Sequence, residues 1–330
     1  MKTLTNIHRI LFVRTDRIGD TLMNLPAIHL LRQTYPKAWI TLLCDKAVAD
    51  LFKNHPDLDE VMTVDAPAPG SSLRARFDIF NRIKKAGFQL AVVSNPDKFF
   101  HAAVFLAGIP HRAGYSRKWG FFLNLTLKDD KDASLRHEID SNLNLVRLVS
   151  DKEWDGKTGL VPDESASRRV REFLSRRGAD EMIVAFHVGT TNPKKRWPID
   201  RFSELADRVQ AESTAKVVLI GGSEEKEAGE MVFRQTHISV VDAIGQFSLA
   251  ELVAFLAPGS VKLLVSADSG PAHIAWMQGT PAVVFFAKDL PGSNPVRWGP
   301  RDGKSEIIEK PVGEISVDEA FAALEKVLSK

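Results

Sequence analysis

Short apolar runs alternate with helical patterns along most of this chain, and that alternation leaves few folds open. Ile10–Val13, Trp39–Cys44, Val61–Val64 and Leu90–Val93 read as buried strands. Leu25–Thr34, Leu73–Lys85, Phe99–Leu106 and Ile139–Val149 read as helices. The series restarts with a strand at Met182–Phe186, then a helix at Ile199–Ala211, where Phe202, Leu205, Ala206 and Val209 share one face and Pro198 suits the first position. Lys216–Ile220 follows as a strand, Glu224–Gln235 as a helix and Val240–Val241 as a short strand. Ser248 and Glu251 form a capping box for a helix ending near Leu256. Strand Leu263–Val265, a helix that begins just before His273 and strand Ala282–Phe286 complete the second series. A closing helix, Val317–Leu328, suits either half. Repeated strand–helix–strand units build parallel sheets covered on both faces, so the expected class is α/β with two doubly wound sheets.

A chain of 330 residues exceeds what one such core usually holds. The polar segment Asp151–Ser165, with its Gly and Pro, is the expected junction, dividing the chain near residue 160 into domains 1–160 and 161–330. The net charge of +2 gives no ground for a nucleic-acid partner. The single cysteine, Cys44, excludes an internal disulfide and fits a core position. The first apolar run is too short for a signal peptide, and no run approaches the ~20 residues of a spanning helix, so a cytoplasmic protein is expected. The five arginines of Arg168–Arg177 read as a solvated helix face.

Four loops at predicted strand ends carry chemistry. After Leu263–Val265 come Asp268, Ser269 and Gly270, then a helix with His273 near its start. A helix N-terminus there suits a phosphate, while Asp268 suits sugar hydroxyls. An ordinary Asp/Ser helix cap explains the same residues. The first strand runs into Arg14-Thr15-Asp16-Arg17-Ile18-Gly19-Asp20, where Asp20 is either a general base toward a hydroxyl or a cap. The loop from His187 to Pro198 holds Thr190, Thr191, Lys194, Lys195 and Arg196, a composition suited to a diphosphate or to an exposed basic loop. Gly221-Gly222-Ser223-Glu224 follows the next strand, with Glu224 able to bond a ribose or to belong to a plain turn.

Other chemistries fit poorly. The chain has neither the glycine fingerprint of dinucleotide-binding folds nor a P-loop. Asp57-Leu58-Asp59 has the D-x-D spacing of metal-dependent sugar transferases but precedes a strand rather than following one. Ser269 lacks a nucleophile elbow, and the remaining histidines lack metal-ligand spacing.

Together the four loops resemble glycosyltransferase family 9, the ADP-heptose heptosyltransferases of the lipopolysaccharide inner core. The blocks are ILFVRTDRIGDTLMNLPAI, HVGTTNPKKRWPIDRFSELA, VVLIGGSEEKE and LVSADSGPAHIAWMQGTPAVVFFA, in that order over residues 10–287, and RHEIDSNLNLVRLV resembles a further family helix. The resemblance implies a GT-B architecture, two Rossmann-like domains facing across a cleft, with the acceptor on the first and the nucleotide sugar on the second. It implies transfer of heptose from ADP-heptose with inversion and without a metal or other cofactor. In it Asp20 is the general base and Lys195 the cation on the leaving diphosphate. Thr190, Thr191, Ser269 and Gly270 contact phosphates, Glu224 the ribose and Asp268 the donor sugar, with His273 behind them. The chain departs from the family in having Asp-Ser-Gly where many members have Asp-Thr-Gly. The alternatives are a GT-B transferase or epimerase for another nucleotide sugar, and a non-catalytic nucleotide-sugar-binding protein.

Asp97–Asn124 is rich in aromatic and basic residues, among them Arg112, Arg117, Lys118, Trp119, Phe121 and Phe122. An anionic glycolipid acceptor on a membrane face would need such cations and apolar anchors, so contact with the cytoplasmic face of the inner membrane is expected through Arg117–Phe122. A core helix followed by an ordinary loop is the other reading.

Overall fold

In the computed structural model, which describes residues 3–65, 73–130, 136–179 and 182–330, the chain divides into two units, Met1–Thr158 and Gly159–Lys330. The first unit runs β1 (Arg9–Val13), α1 (Ile18–Leu22), α2 (Leu25–Thr34), β2 (Trp39–Asp45), β3 (Glu60–Val64), α3 (Leu73–Ala86), β4 (Leu90–Val93), α4 (Lys98–Leu106), β5 (His111–Tyr115), β6 (Leu125–Leu127) and α5 (Glu138–Val146). Its sheet has the order β3-β2-β1-β4-β5-β6, all parallel. Ile10, Leu11, Phe12 and Val13 are all fully buried, as both faces of a central parallel strand are covered. Cys44 lies in this core, where burial pushes its thiol up to about 12.

The second unit runs α6 (Glu164–Ser175), β7 (Ile183–His187), α7 (Ile199–Glu212), β8 (Lys216–Ile220), α8 (Lys226–Gln235), β9 (Val241–Asp242), α9 (Leu249–Phe255), β10 (Leu263–Ala267), α10 (Gly270–Gln278), β11 (Ala282–Ala287), α11 (Pro295–Trp298), β12 (Glu306–Lys310) and α12 (Val317–Leu328). Its parallel sheet has the order β12-β11-β10-β7-β8-β9. Renumbered from its own first strand, this is the same order as in the first unit, that of the doubly wound nucleotide-binding fold. α12, which sequence alone could assign to either half, sends Ala320, Phe321, Leu324 and Val327 into the core of the second unit.

Three strands escape a reading by apolar runs. β5 (HRAGY) and β6 (LTL) are weakly apolar, and β12 (EIIEK) is a charged edge strand. Boundaries also shift, and α5 ends at Val146 rather than Val149. Pro198 caps α7 rather than opening it, and a 3₁₀ turn over Ser223–Glu225 delays α8 to Lys226. Among the described residues no helix is long and apolar enough to cross a membrane.

Candidate active site

In an open parallel sheet, ligands bind beyond the carboxyl ends of the strands where the strand order reverses. In the second unit that point lies between β7 and β10, so the loops after these strands bound the site. α10 starts there, with Ser269 as its N-cap and Pro271 in the first turn. Its free N–H groups and the positive end of its dipole favour an anion.

The β7 loop is held from below by Trp197. That indole is fully buried, packs on Phe202 and Phe285 at 4.8 and 4.9 Å, and donates to the Ile315 carbonyl at 2.9 Å. Just before it, Asn192 caps a short 3₁₀ turn by accepting from the Lys194 N–H at 3.1 Å. Anchor and cap together aim Lys195 at Asp268, Nζ to Oδ2 2.6 Å. Asp268 is buried, and burial alone would raise its pKa. The His273 hydrogen bond and the Lys195 charge outweigh that and hold it below the ordinary carboxylate range. His273 Nε2 lies 3.5 Å from Asp268 Oδ1, and His273 Nδ1 lies 3.3 Å from the indole nitrogen of Trp276. An indole N–H only donates, so His273 Nδ1 is the acceptor and its proton sits on Nε2, toward Asp268.

Three predicted residues, Lys195, Asp268 and His273, thus form one connected cluster. Ser269 bonds elsewhere, to Ser266 and His187. Thr190 is half-buried and accepts from the Asn192 N–H at 3.3 Å, while Thr191 is exposed. Glu224 is exposed, and its carboxylate lies over Gly222, where an added Cβ would meet Oε2 at 2.4 Å. Its neighbour Glu225 is the buried one. It accepts from the Gly222 N–H at 2.7 Å and fills the space beside Gly189, where an added Cβ would meet its Cδ at 2.5 Å. Burial raises the Glu225 pKa.

In the first unit the order reverses between β1 and β4. Arg14 extends β1 and is buried, yet three carboxylates surround it: Asp16 at 2.5 Å, Asp20 at 2.9 Å and Glu138 at 3.5 Å. Burial works against the guanidinium charge, but the carboxylates outweigh it and raise its pKa. Asp16 is raised, by burial first and by Asp20 second, against the pull of Arg14. Asp20 sits on α1, partly exposed, with Oδ1 held by Arg14 Nη2. The D-x-D pair is otherwise engaged. Asp57 meets His29 at 2.9 Å and Asp59 meets Arg32 at 2.5 Å.

Within the aromatic segment α4 sends Phe100, Ala103 and Val104 into the core of the first unit, as the core-helix reading expects, and an exposed knob follows β5. Lys118 and Trp119 both take left-handed backbone, φ 49° and 67°, uncommon for residues with a Cβ. Neutral-side burial of His101 lowers its pKa, and its Nδ1 donates to the Lys118 carbonyl at 3.0 Å, holding the loop. Trp119 and Phe121 stand out, 47% and 76% exposed. Lys98 lies over Trp119 at 5.6 Å. Two of the expected acceptor or lipid contacts are already engaged: Arg112 donates to the Ile109 and Phe122 carbonyls, and Arg117 pairs with Asp129 at 2.8 Å.

Sequence reading passed over Arg14, Asp16, His187, Ser266 and Glu225. Arg14 had left a signal, since an arginine that continues an apolar strand, with aspartates two and six residues on, requires buried pairing. Glu225 had none, because adjacent glutamates differ only in which way the 3₁₀ turn points them.

The model of glycosyltransferase family 9 (heptosyltransferase) matches residues 76–318. Lipopolysaccharide heptosyltransferase 2 of Escherichia coli strain K12 is 23% identical, over 96% of this chain and 92% of its own length. The glycosyl transferase family 9 structure from Veillonella parvula has a TM-score of 0.87 at 23% identity, covering 99% of both chains. The structure of E. coli ADP-heptose LPS heptosyltransferase II has a TM-score of 0.81 at 20% identity, covering 97% of this chain and 98% of that one.

Proposed function

The chain belongs to glycosyltransferase family 9, the heptosyltransferases, and from that membership we propose that it moves a heptose from ADP-heptose to a hydroxyl of the lipopolysaccharide inner core, with inversion and without a metal. Two of the relatives named above are lipopolysaccharide heptosyltransferases by name, and one of these carries ADP-heptose in its name. The observation that carries the reading is the cluster of Lys195, Asp268 and His273 beside the first turn of α10.

In the proposed reaction the acceptor oxygen bonds to the anomeric carbon as the bond from that carbon to the diphosphate oxygen breaks. The bonding electrons leave with ADP. Negative charge grows on the diphosphate, where the α10 N–H groups and the Lys195 ammonium stabilise it in the role a metal fills elsewhere. Positive charge grows on the sugar, near the Asp268 carboxylate. Asp20 takes the acceptor proton, a contribution of ~10²–10⁴-fold. Arg14 holds one oxygen of Asp20 and leaves the other for the hydroxyl. Thr190, Thr191, Ser269 and Gly270 contact phosphates and Glu224 the ribose. A single displacement inverts the anomeric centre.

The test is incubation with ADP-heptose and a heptose-less lipopolysaccharide acceptor, read by mass spectrometry. A gain of one heptose is expected. Binding of ADP with no transfer to several acceptors would leave a binding protein, and selective binding of a uridine diphosphate sugar would change the donor.

The acceptor is an anionic glycolipid, so the exposed knob at Trp119 and Phe121, with Lys98 and Lys118, is proposed to rest on anionic lipid at the cytoplasmic face of the inner membrane. Wild type should float with anionic vesicles, and the double variant Trp119→Ser/Phe121→Ser should stay in solution. Wild type that remains soluble beside such vesicles removes the lipid contact without touching the transfer reaction.

A further inference from the structure

The Ser269 hydroxyl caps no N–H of its own helix, although it stands at the N-cap of α10. Its polar neighbours come from the ends of two strands, β10 itself and β7. Ser266 Oγ lies 2.8 Å away and His187 Nδ1 3.3 Å away. His187 Nδ1 also lies 3.0 Å from Ser266 Oγ, and Ser266 Oγ lies 2.8 Å from the Ala267 carbonyl. Ser266 and His187 are themselves buried.

The protons in this group can be counted. A hydroxyl has one, and a carbonyl oxygen only accepts, so the bond to Ala267 uses the proton of Ser266. Burial lowers the His187 pKa to about 4, so near neutral pH the ring carries a single N–H. What lies within reach of Nδ1 is two serine oxygens with lone pairs to fill. A proton on Nδ1 fills them both. The proton of Ser269 is then the one in the group without a fixed acceptor. It can lie toward Ser266, or it can turn outward past the first turn of α10.

We propose that His187 and Ser266 are positioning residues for the donor: the His187 Nδ1–H donates into the two serine oxygens, and Ser269 thereby presents its hydroxyl proton to a phosphate oxygen of the bound nucleotide. This rests on the reading of α10 as the diphosphate site. Neither residue touches substrate. Their part is to keep the Ser269 proton off the imidazole, because a phosphate met by a hydroxyl lone pair is repelled rather than held.

The experiment measures ADP affinity by calorimetry on the full chain for wild type, Ser266→Ala, His187→Leu and His187→Asn, with the melting temperature of each. Ser266→Ala and His187→Leu should weaken ADP binding roughly tenfold or more, as loss of a hydrogen bond to a charged group does. Donor KM should rise in parallel, with a smaller change in kcat. His187→Asn, whose amide offers an N–H at similar reach, should restore most of the affinity. A role in packing alone would not separate Asn from Leu in affinity while their melting temperatures stay alike. Equal affinity in Asn and Leu variants, or wild-type affinity in Ser266→Ala, overturns the proposal. Should His187→Leu fail to fold, Ser266→Ala decides the matter, since it removes a single oxygen. Wild type that binds neither ADP nor ADP-heptose overturns the functional reading along with this one, whereas wild type that binds ADP beside variants that bind it equally overturns this one alone.

Discussion

Lys195 and Asp268 neutralise one another at 2.6 Å, so on the proposed function an entering diphosphate would compete with a buried carboxylate for the same ammonium. In the proposed reaction the flexible lysine stem makes that exchange cheap, and the freed carboxylate turns to the sugar. Asp268→Asn should therefore abolish most transfer while ADP binding holds or tightens, by up to ~10-fold or ~1.4 kcal/mol. Calorimetry beside the transfer assay checks this, and weaker ADP binding would show that Asp268 holds the loop rather than the sugar. Asp20→Asn keeps an oxygen for Arg14, so folding and ADP affinity should persist while kcat falls ~10²–10⁴-fold. Normal turnover would move the base elsewhere. His187 adds a pH dependence. In the fold it stays neutral down to about pH 4, while the unfolded imidazole takes up its proton near ~6.5. The unfolded chain binds more protons between these values, so this group's contribution to stability is complete above ~6.5 and lost as pH falls toward 4. The full size is roughly 3 kcal/mol. Asp16, raised in the fold, works in the opposite direction over an overlapping range, so the difference between wild type and His187→Asn in urea melts at several pH values isolates the histidine. Parallel stability curves for the two would assign the acid loss to other groups.

At the scale of elements, two of the four candidate loops are set by a buried anchor. Trp197 fixes the turn that carries Lys195, and Glu225 joins the glycine turn after β8 to Gly189 after β7. Trp197→Ala should cost ~3–5 kcal/mol, in line with large-to-small changes in cores, and weaken ADP binding as the turn loosens. Glu225→Ala removes the acceptor of the Gly222 N–H and should cost ~1–2 kcal/mol in urea unfolding. Retained stability there would mean that water replaces the carboxylate. The elements themselves were uneven in legibility. Central strands such as β1 and β10 announce themselves, because burial on both faces demands unbroken apolar sequence. β6 and β12 do not, because an edge strand needs little burial of its own side chains, and β5 does not, because its buried positions are Ala113, Gly114 and Tyr115 rather than an apolar run.

For the whole molecule, two units with separate sheets and the proposed donor site in one of them make the response to nucleotide uneven along the chain. ADP at a hundredfold its Kd should stabilise what it binds by ~2.7 kcal/mol. Hydrogen exchange on the full chain should show the strongest protection at the ends of β7, β8 and β10 and in the first turns of α8 and α10. Protection confined to Met1–Thr158 would place the nucleotide in the wrong unit. By itself the sequence determined the class of fold, the repeated strand–helix order, the four loops and their charge, since all of these follow from local periodicity and from which residue types stand where strands end. Only the tertiary structure decided which charges meet. It chose Glu225 over Glu224 for burial, closed three carboxylates around Arg14, and brought His187 from one strand beneath Ser269 at the end of another. Such partners are fixed by strand order and by the direction of a single turn, and neither is written in the spacing of residues along one segment.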